Sequence, residues 1–273
     1  PEDGMPLHTL GNPWDITGEN NSGYGKIIAT RGNSRWQASE GPEVIYRNGY
    51  YYLFLAYGTL AVEYNTRVCR SVNIDGPYVD MDGTPAMGSG ELYPILTAPY
   101  LFNNSYGWVG ISHCGIFEDG EGNWFYTSQG RFPANVGGNE YSNAIMMGHV
   151  RSIRWDANGW PLVMPERYGA VPQVPITEEE IAGNWEHLSL TSSTSTQRTS
   201  ETLTFDAGTH KISSGSWKDA SWTFDAASQT ITTSAGVVLY LQREVDWEAT
   251  PRTHTIVYAA QGNKKTYWGK KVQ

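Results

Sequence analysis

The chain has 273 residues, a formal net charge of −9, 17% charged residues and 13% aromatic residues. Few charges, many aromatics, 30 Gly and 14 Pro point to an all-β fold rather than a helical one, with room for one large domain or two modest ones. The acidic balance repels phosphate backbones and anionic lipid, which argues against nucleic acid and membrane surfaces as partners and favours neutral ligands. The 11 Trp and 17 Tyr can stack on sugar rings, although most aromatics of a β protein are core. Cys69 and Cys114 stand in different segments without Cys-x-x-Cys spacing and read as two free thiols. No apolar run reaches the length of a membrane span, and PEDGMPLHTL has no signal-peptide pattern, so the compartment is not readable from this end.

In chain order, MPLHTLGNPWDITGENNSGYGKIIATRG reads as the tail of a repeating unit. VIYRNGYYYLF (44–54) then gives a short apolar strand, a Gly-containing turn and an aromatic strand, a hairpin pattern. RSVNIDGPYVD (70–80) predicts a second hairpin around Asp-Gly. The same pair recurs as GIFEDGEGNWFYT (115–127) and RSIRWDANGWPLV (151–163). Two successive hairpins make four antiparallel strands, and a recurring four-stranded unit is the mark of a β-propeller blade. Residues 41 to about 165 hold two such units, whereas propellers close with at least about four blades. The chain is therefore expected to be the C-terminal part of a larger propeller (residues 1–170), with the earlier blades absent or on another polypeptide.

Three prolines between 165 and 175 mark a linker, and TEEE at 177–180 reads as a solvated charge run in preference to a helix start. Beyond it, Thr/Ser alternate with apolar residues in TLTFDAGTHKI, SWTFDAASQTITT, VVLYLQREVDW and HTIVYAAQGNKKTYWGKK. These are short strands joined by Asp-Ala and Gly turns, so residues 171–273 form a small β-barrel or sandwich. A structural cap over the propeller is favoured for it over carbohydrate binding, because no aromatic cluster stands apart from the core pattern.

Residues at the start of a blade's innermost strand face the mouth of the central channel. Glu40, before Gly-Pro and the first aromatic hairpin, holds such a place, and His113 in GWVGISHCGIFEDG holds the nearly equivalent one in the next blade. Position alone leaves Glu40 open between a solvated loop charge and an acid aimed into a site, and favours a hydrogen-bonded wall residue for His113.

ASEGPEVIYRNGYYYLFLAYG resembles the acid-bearing segment of glycoside hydrolase family 43, in which Glu precedes Gly-Pro and a Tyr-rich strand. YNTRVCRSVNIDGPYVD resembles the outer strands that follow it, SHCGIFEDGEGNWFYTSQGR the next blade, and DANGWPLVMPERY the propeller ending of the family's endo-arabinanases. GTHKISSGSW, ITTSAGV and TYWGKKVQ resemble the extra β domain of its two-domain members. The resemblance implies a five-bladed propeller and an inverting mechanism with a base Asp, an Asp that tunes the acid, and a Glu general acid. Only the Glu maps here, on Glu40. Asp3 and Asp15 lie in what reads as outer-strand sequence and are not carried over.

Glycoside cleavage needs a proton delivered to a poor leaving group while water attacks the opposite face, between carboxyl groups about 6.5–9.5 Å apart. Burial and a neighbouring carboxylate both keep such an acid protonated. Trp36, Tyr51 and Tyr57 are candidates for its lining, with Trp36, Asn65, Arg67 and Arg131 as substrate-binding candidates and Gln129 near the same strand ends. His113 matches the family's single protein ligand to an axial calcium ion otherwise bound by water, an assignment the motif carries, since calcium prefers oxygen.

Two function classes follow. One is an endo-acting hydrolase of α-1,5-linked arabinan, or an exo-acting arabinofuranosidase or xylosidase on the same fold, extracellular or periplasmic, completed by an N-terminal half as a second polypeptide. The other is a non-catalytic sugar-binding or scaffold fragment.

Overall fold

The computed structural model describes residues 26–31, 39–88, 90–102, 105–191 and 195–272. The strands are β1 (Glu40–Arg47), β2 (Tyr50–Tyr57), β3 (Asn65–Ser71), β4 (Ile95–Thr97), β5 (Tyr100–Leu101), β6 (Gly115–Glu118), β7 (Trp124–Arg131), β8 (Met146–Trp155) and β9 (Pro161–Val163). They continue with β10 (Gly183–Leu190), β11 (Arg198–Thr199), β12 (Glu201–Asp206), β13 (Lys211–Ile212), β14 (Trp222–Asp225), β15 (Thr230–Thr233), β16 (Val237–Asp246), β17 (Thr253–Gly262) and β18 (Lys265–Lys271). Two four-stranded sheets, β1-β2-β3-β4 and β6-β7-β8-β9, precede an eight-stranded sheet ordered β13-β12-β10-β18-β17-β16-β15-β14.

The first sheet starts from a turn the sequence dictates. Asn48 and Gly49, at φ 48° and 86°, are the two left-handed residues of a two-residue hairpin that pairs Arg47 with Tyr50. β2 then serves two cores at once. Tyr52 and Phe54 meet Cys114, Ile116 and Tyr126 of the second sheet, while Leu53, Leu55 and Tyr57 pack on the opposite face with Cys69, Tyr78 and Leu92. Burial on both faces explains why β2 is a continuous apolar run rather than an alternating one. The sheets stack face to face, with β1 beside β6 and β4 beside β9, as neighbouring propeller blades do. Of the stretch expected to belong to a preceding unit, residues 26–31 are described, and they touch the first blade through a parallel bridge of Thr30 with Met87. Both cysteines are free and buried, and desolvation pushes each thiol up to about 12.

Two expectations need correction. The hairpin expected over 70–80 is reduced to the isolated bridge Arg70–Val79, and the fourth strand of the first blade is β4, further along the chain. The cause is Asp80, a buried carboxylate that accepts from the backbone amides of Asp82, Thr84 and Tyr93 and turns the chain away before a ladder can extend. TEEE is not merely a solvated charge run. Thr177 and Glu180 form a capping box at the head of the helical turn α1 (Glu178–Ile181), whose Ile181 is buried.

The eight-stranded sheet curls until β13 meets the residue before β14 through the bridge Lys211–Ser221. Trp185, Trp222, Phe205, Tyr258 and Tyr267 fill its interior. His187, buried among them, lies 2.6 Å from the Tyr258 hydroxyl, and burial lowers its imidazole to about 3, so it is neutral. The barrel rests sideways on the blades. Leu188, Val257 and Trp268 pack against Ile95, Leu162 and Met164, and β18 reaches both sheets: Thr266 donates to the Ile95 carbonyl and Trp268 Nε1 to the Val163 carbonyl. The proline-marked segment is a packed connection. Trp247 Nε1 donates to the Arg167 carbonyl and Gln173 Nε2 to the Arg243 carbonyl.

An ion cluster is sealed at this junction. Lys270 Nζ stands 2.7 Å from Glu248, 2.9 Å from Asp246, 3.1 Å from Glu166 and 3.9 Å from Glu186. Burial alone would lower the Lys270 ammonium, but Glu166 and Glu248 hold it well above its ordinary value. Burial, and then the Glu248 carboxylate, pushes Glu166 up.

Candidate active site

Glu40 opens β1 opposite Ala56, yet the next pair along is Glu43 with Phe54, so β1 spends one residue more than β2 over this stretch. That bulge, with Gly41 at φ 55°, decides where the acid points. Strict alternation would put Glu40 on the face of Val44 and Tyr46. The extra residue moves it to the face of Glu43 and Ile45, toward the second blade.

There it meets two groups from other segments. The loop after β2 delivers Tyr64, only 1% exposed, whose hydroxyl donates to Glu40 Oε1 and stands 3.3 Å from His113 Nδ1. Burial and then the hydrogen bond to Glu40 push the Tyr64 phenol well above its ordinary value, so it remains a neutral donor. His113 is exposed and has φ 59° two residues before β6. Its ring lies against Gly41, where a Cβ would stand 2.9 Å from Cδ2 and 3.0 Å from Cγ. The glycine after Glu40 therefore has two uses: it makes the bulge and it admits the imidazole. Beneath the trio a buried hydroxyl network joins the blades, with Thr66 Oγ1 2.8 Å from both Ser112 Oγ and the Tyr126 hydroxyl, and Thr97 Oγ1 donating to the Ile111 carbonyl at 2.8 Å.

The remaining candidates divide. Trp36, Asp3 and Asp15 lie outside the described residues. Asn65 and Arg67 are fully buried on the face turned away from the second blade, contrary to the expectation that they face the pocket. Arg67 donates to Asn65 Oδ1 and to the Leu92 carbonyl, both at 2.6 Å, and pairs with Glu91 at 3.1 Å, which Arg31 also contacts. Tyr57 is on that same buried face, its ring under the Arg31 guanidinium at 3.8 Å. Tyr51 pairs with Ser71, five residues from Ala56 along β2 and so about 17 Å from the acid's end of the strand. It cannot line the acid's pocket. Arg131 and Gln129 are half-buried on β7, and Arg131 passes beneath Gly110 and donates to the Asn143 carbonyl. Tyr64 is not marked out by the sequence, because a tyrosine in an irregular loop carries no periodic signal.

A carboxyl group re-aimed by a bulge, braced by a neutral phenol and set beside an exposed imidazole at the inner ends of two blades has the groups that proton transfer requires. Glycosyl hydrolases family 43 matches residues 4–161, and the C-terminal lipocalin-like domain that accompanies that family matches residues 165–269. The chain belongs to this family.

Among characterised relatives, it is 31% identical over 185 residues to the extracellular endo-α-(1→5)-L-arabinanase 2 of Bacillus subtilis (strain 168), over 60% of this chain and 37% of that one. It is 30% identical over 185 residues to the extracellular endo-α-(1→5)-L-arabinanase of Thermotoga petrophila, over 61% and 37%. Two solved structures share the fold at TM-score 0.77: a family 43 glycoside hydrolase from Bacillus licheniformis, 24% identical, and an endo-1,5-α-L-arabinanase from Thermotoga petrophila RKU-1 in complex with TRIS, 23% identical. Each match covers 94% of this chain and 59% of the other. The chain thus spans 37% of the length of these curated relatives.

Proposed function

We propose that this chain is the C-terminal part of a secreted, endo-acting hydrolase of α-1,5-linked L-arabinan that works with inversion at the anomeric carbon. The observation that carries the reading is the bulge at Gly41, which turns Glu40 toward Tyr64 and His113 and out of register with its own strand. In this reading Glu40 is the general acid that protonates the leaving oxygen. The base and the acid-tuning carboxylate are Asp residues of earlier blades. Supporting such blades, Val44 and Tyr46 on the innermost strand are 42% and 60% exposed, an apolar stripe of the kind a further blade would cover. The names of the curated relatives favour arabinan and an extracellular location.

His113 is the residue that would hold a calcium ion. Its ring is fixed by Gly41 and Tyr64 at an exposed position, which suits one protein ligand with water completing the shell. Among the described residues, Glu166, Asp246 and Glu248 are the one group of three potential ligands, and the Lys270 ammonium already sits within it. A bound ion at His113 would supply a fixed positive charge that orders water and favours ionised carboxylates nearby.

The test is hydrolysis of linear arabinan by the complete enzyme, with all blades present, followed by product size and anomeric configuration. Glu40→Gln keeps the shape but cannot deliver a proton, so turnover falls by about three orders of magnitude or more, within the range for loss of a general acid. Near-normal turnover by that variant overturns the reading, and an initial product of retained configuration removes the inverting mechanism.

A further inference from the structure

We propose that Tyr64 is a positioning residue that donates to Glu40 Oε1 and thereby holds His113 as the Nδ1–H tautomer with Nε2 bare. The tautomer of His113 rests on the place of the Tyr64 hydroxyl between Glu40 and His113, and the effect on hydrolysis rests on the reading of Glu40 as the acid.

A phenol has one hydrogen and two lone pairs. The Tyr64 hydrogen is committed to Glu40 Oε1, and the same oxygen faces His113 Nδ1 at 3.3 Å. Two lone pairs cannot face each other favourably, so Nδ1 must carry a hydrogen, and in a neutral imidazole Nε2 then carries none. The opposite chain, Glu40 donating to Tyr64 and Tyr64 to Nδ1, would place the hydrogen on Nε2. With Glu40 as a carboxylate, which has no hydrogen and can only accept, the first order is the one available. The arrangement is stiff. Tyr64 is almost wholly buried, and the imidazole is pinned against Gly41, which limits the ring flips that would exchange the nitrogens.

The experiment is long-range nitrogen–proton correlation on enzyme with 15N-labelled histidine, in alkaline buffer. The wild-type His113 signal shows a protonated Nδ1 and an unprotonated Nε2, and adding Ca²⁺ alone moves Nε2. Tyr64→Phe, which keeps the ring and removes the hydroxyl, erases the tautomer preference and weakens Ca²⁺ binding about tenfold. The same variant loses about ten- to a hundredfold in hydrolysis of linear arabinan, the range for a hydrogen bond to a charged group, while an aryl arabinofuranoside with a good leaving group is spared. A wild-type spectrum with hydrogen on Nε2, or a tautomer unchanged in Tyr64→Phe, overturns the proposal, and the wild-type spectrum decides the matter even if the variant does not fold. Should Glu40→Gln stay active while the wild-type tautomer is as stated, the acid assignment fails and the tautomer stands.

Discussion

The Gly41 backbone lies so close against the His113 imidazole that a Cβ at Gly41 would stand 2.9 Å from His113 Cδ2, in a backbone conformation of φ 55° that side chains avoid. One hydrogen atom thereby sets the position of two functional groups.

Gly41→Ala tests this. The left-handed conformation costs about 1–2 kcal/mol once a Cβ is present, and relief of the clash moves the ring away from Tyr64. Urea unfolding is expected to show that destabilisation, and hydrolysis by the complete enzyme to fall at least about tenfold at temperatures where the variant remains folded. Unchanged activity would show that the imidazole does not need this seat.

Arg67 separates a structural guanidinium from a substrate-binding one. Its donors are spent on Asn65, Leu92 and Glu91 inside the blade. Arg67→Met leaves buried acceptors unpaired and is expected to cost about 3–5 kcal/mol in denaturant titrations. KM for arabinan, measured on the folded fraction, is expected to stay within about twofold; a large rise in KM with stability intact would return Arg67 to the substrate.

Lys270→Met removes the one ammonium that Glu166, Asp246 and Glu248 share. Buried charge left unpaired costs about 3–5 kcal/mol near neutral pH. The loss is expected to shrink in acid, where the carboxylates protonate, so unfolding measured at pH 5 and pH 8 should show the larger deficit at pH 8.

Glu244 gives a pH dependence of defined sign. Its carboxyl is buried and accepts from Ser152, Gln242 and the Gly169 amide, with Arg151 nearby, and desolvation raises it to about 7. A raised value means stability that is fully present below about pH 4.5 and lost as pH climbs through about 7. Glu244→Gln carries no such term. The wild-type minus variant stability is therefore expected to decline by roughly 3 kcal/mol between pH 4.5 and 8, at 1.36 kcal/mol per unit. A flat difference over that range would show that Glu244 does not titrate.

What could be read from the chain followed from local rules. Asn48-Gly49 and Asn158-Gly159 announce hairpins because Asn48, Gly49 and Gly159 adopt the left-handed φ that few residues accept, and they locate the two blades whose first strands begin at Glu40 and two residues after His113. What could not be read depended on partners distant in sequence. Arg67 sits in a strand as a polar residue, and nothing in NTRVCRS tells whether its charge meets a ligand or Glu91. The delay of β4 is set by three backbone amides gathering on Asp80, and such capture has no period. TEEE spelled a capping box, but its acidic character masked that signal. Tyr64 is visible only once Glu40 and His113 are in space.

Thr266 and Trp268 stand two residues apart on one strand, and each holds a different blade, at Ile95 and at Val163. The barrel therefore acts as a set square: it fixes the angle between the two blades from outside, leaving the inner strands free of that duty. Further blades would meet a wedge already opened to its angle, so closing a ring would not require these two blades to be ordered against each other. That lowers the entropic cost of closure. The same rigidity carries errors inward, since loosening β18 would change the angle at which Glu40 and His113 face one another.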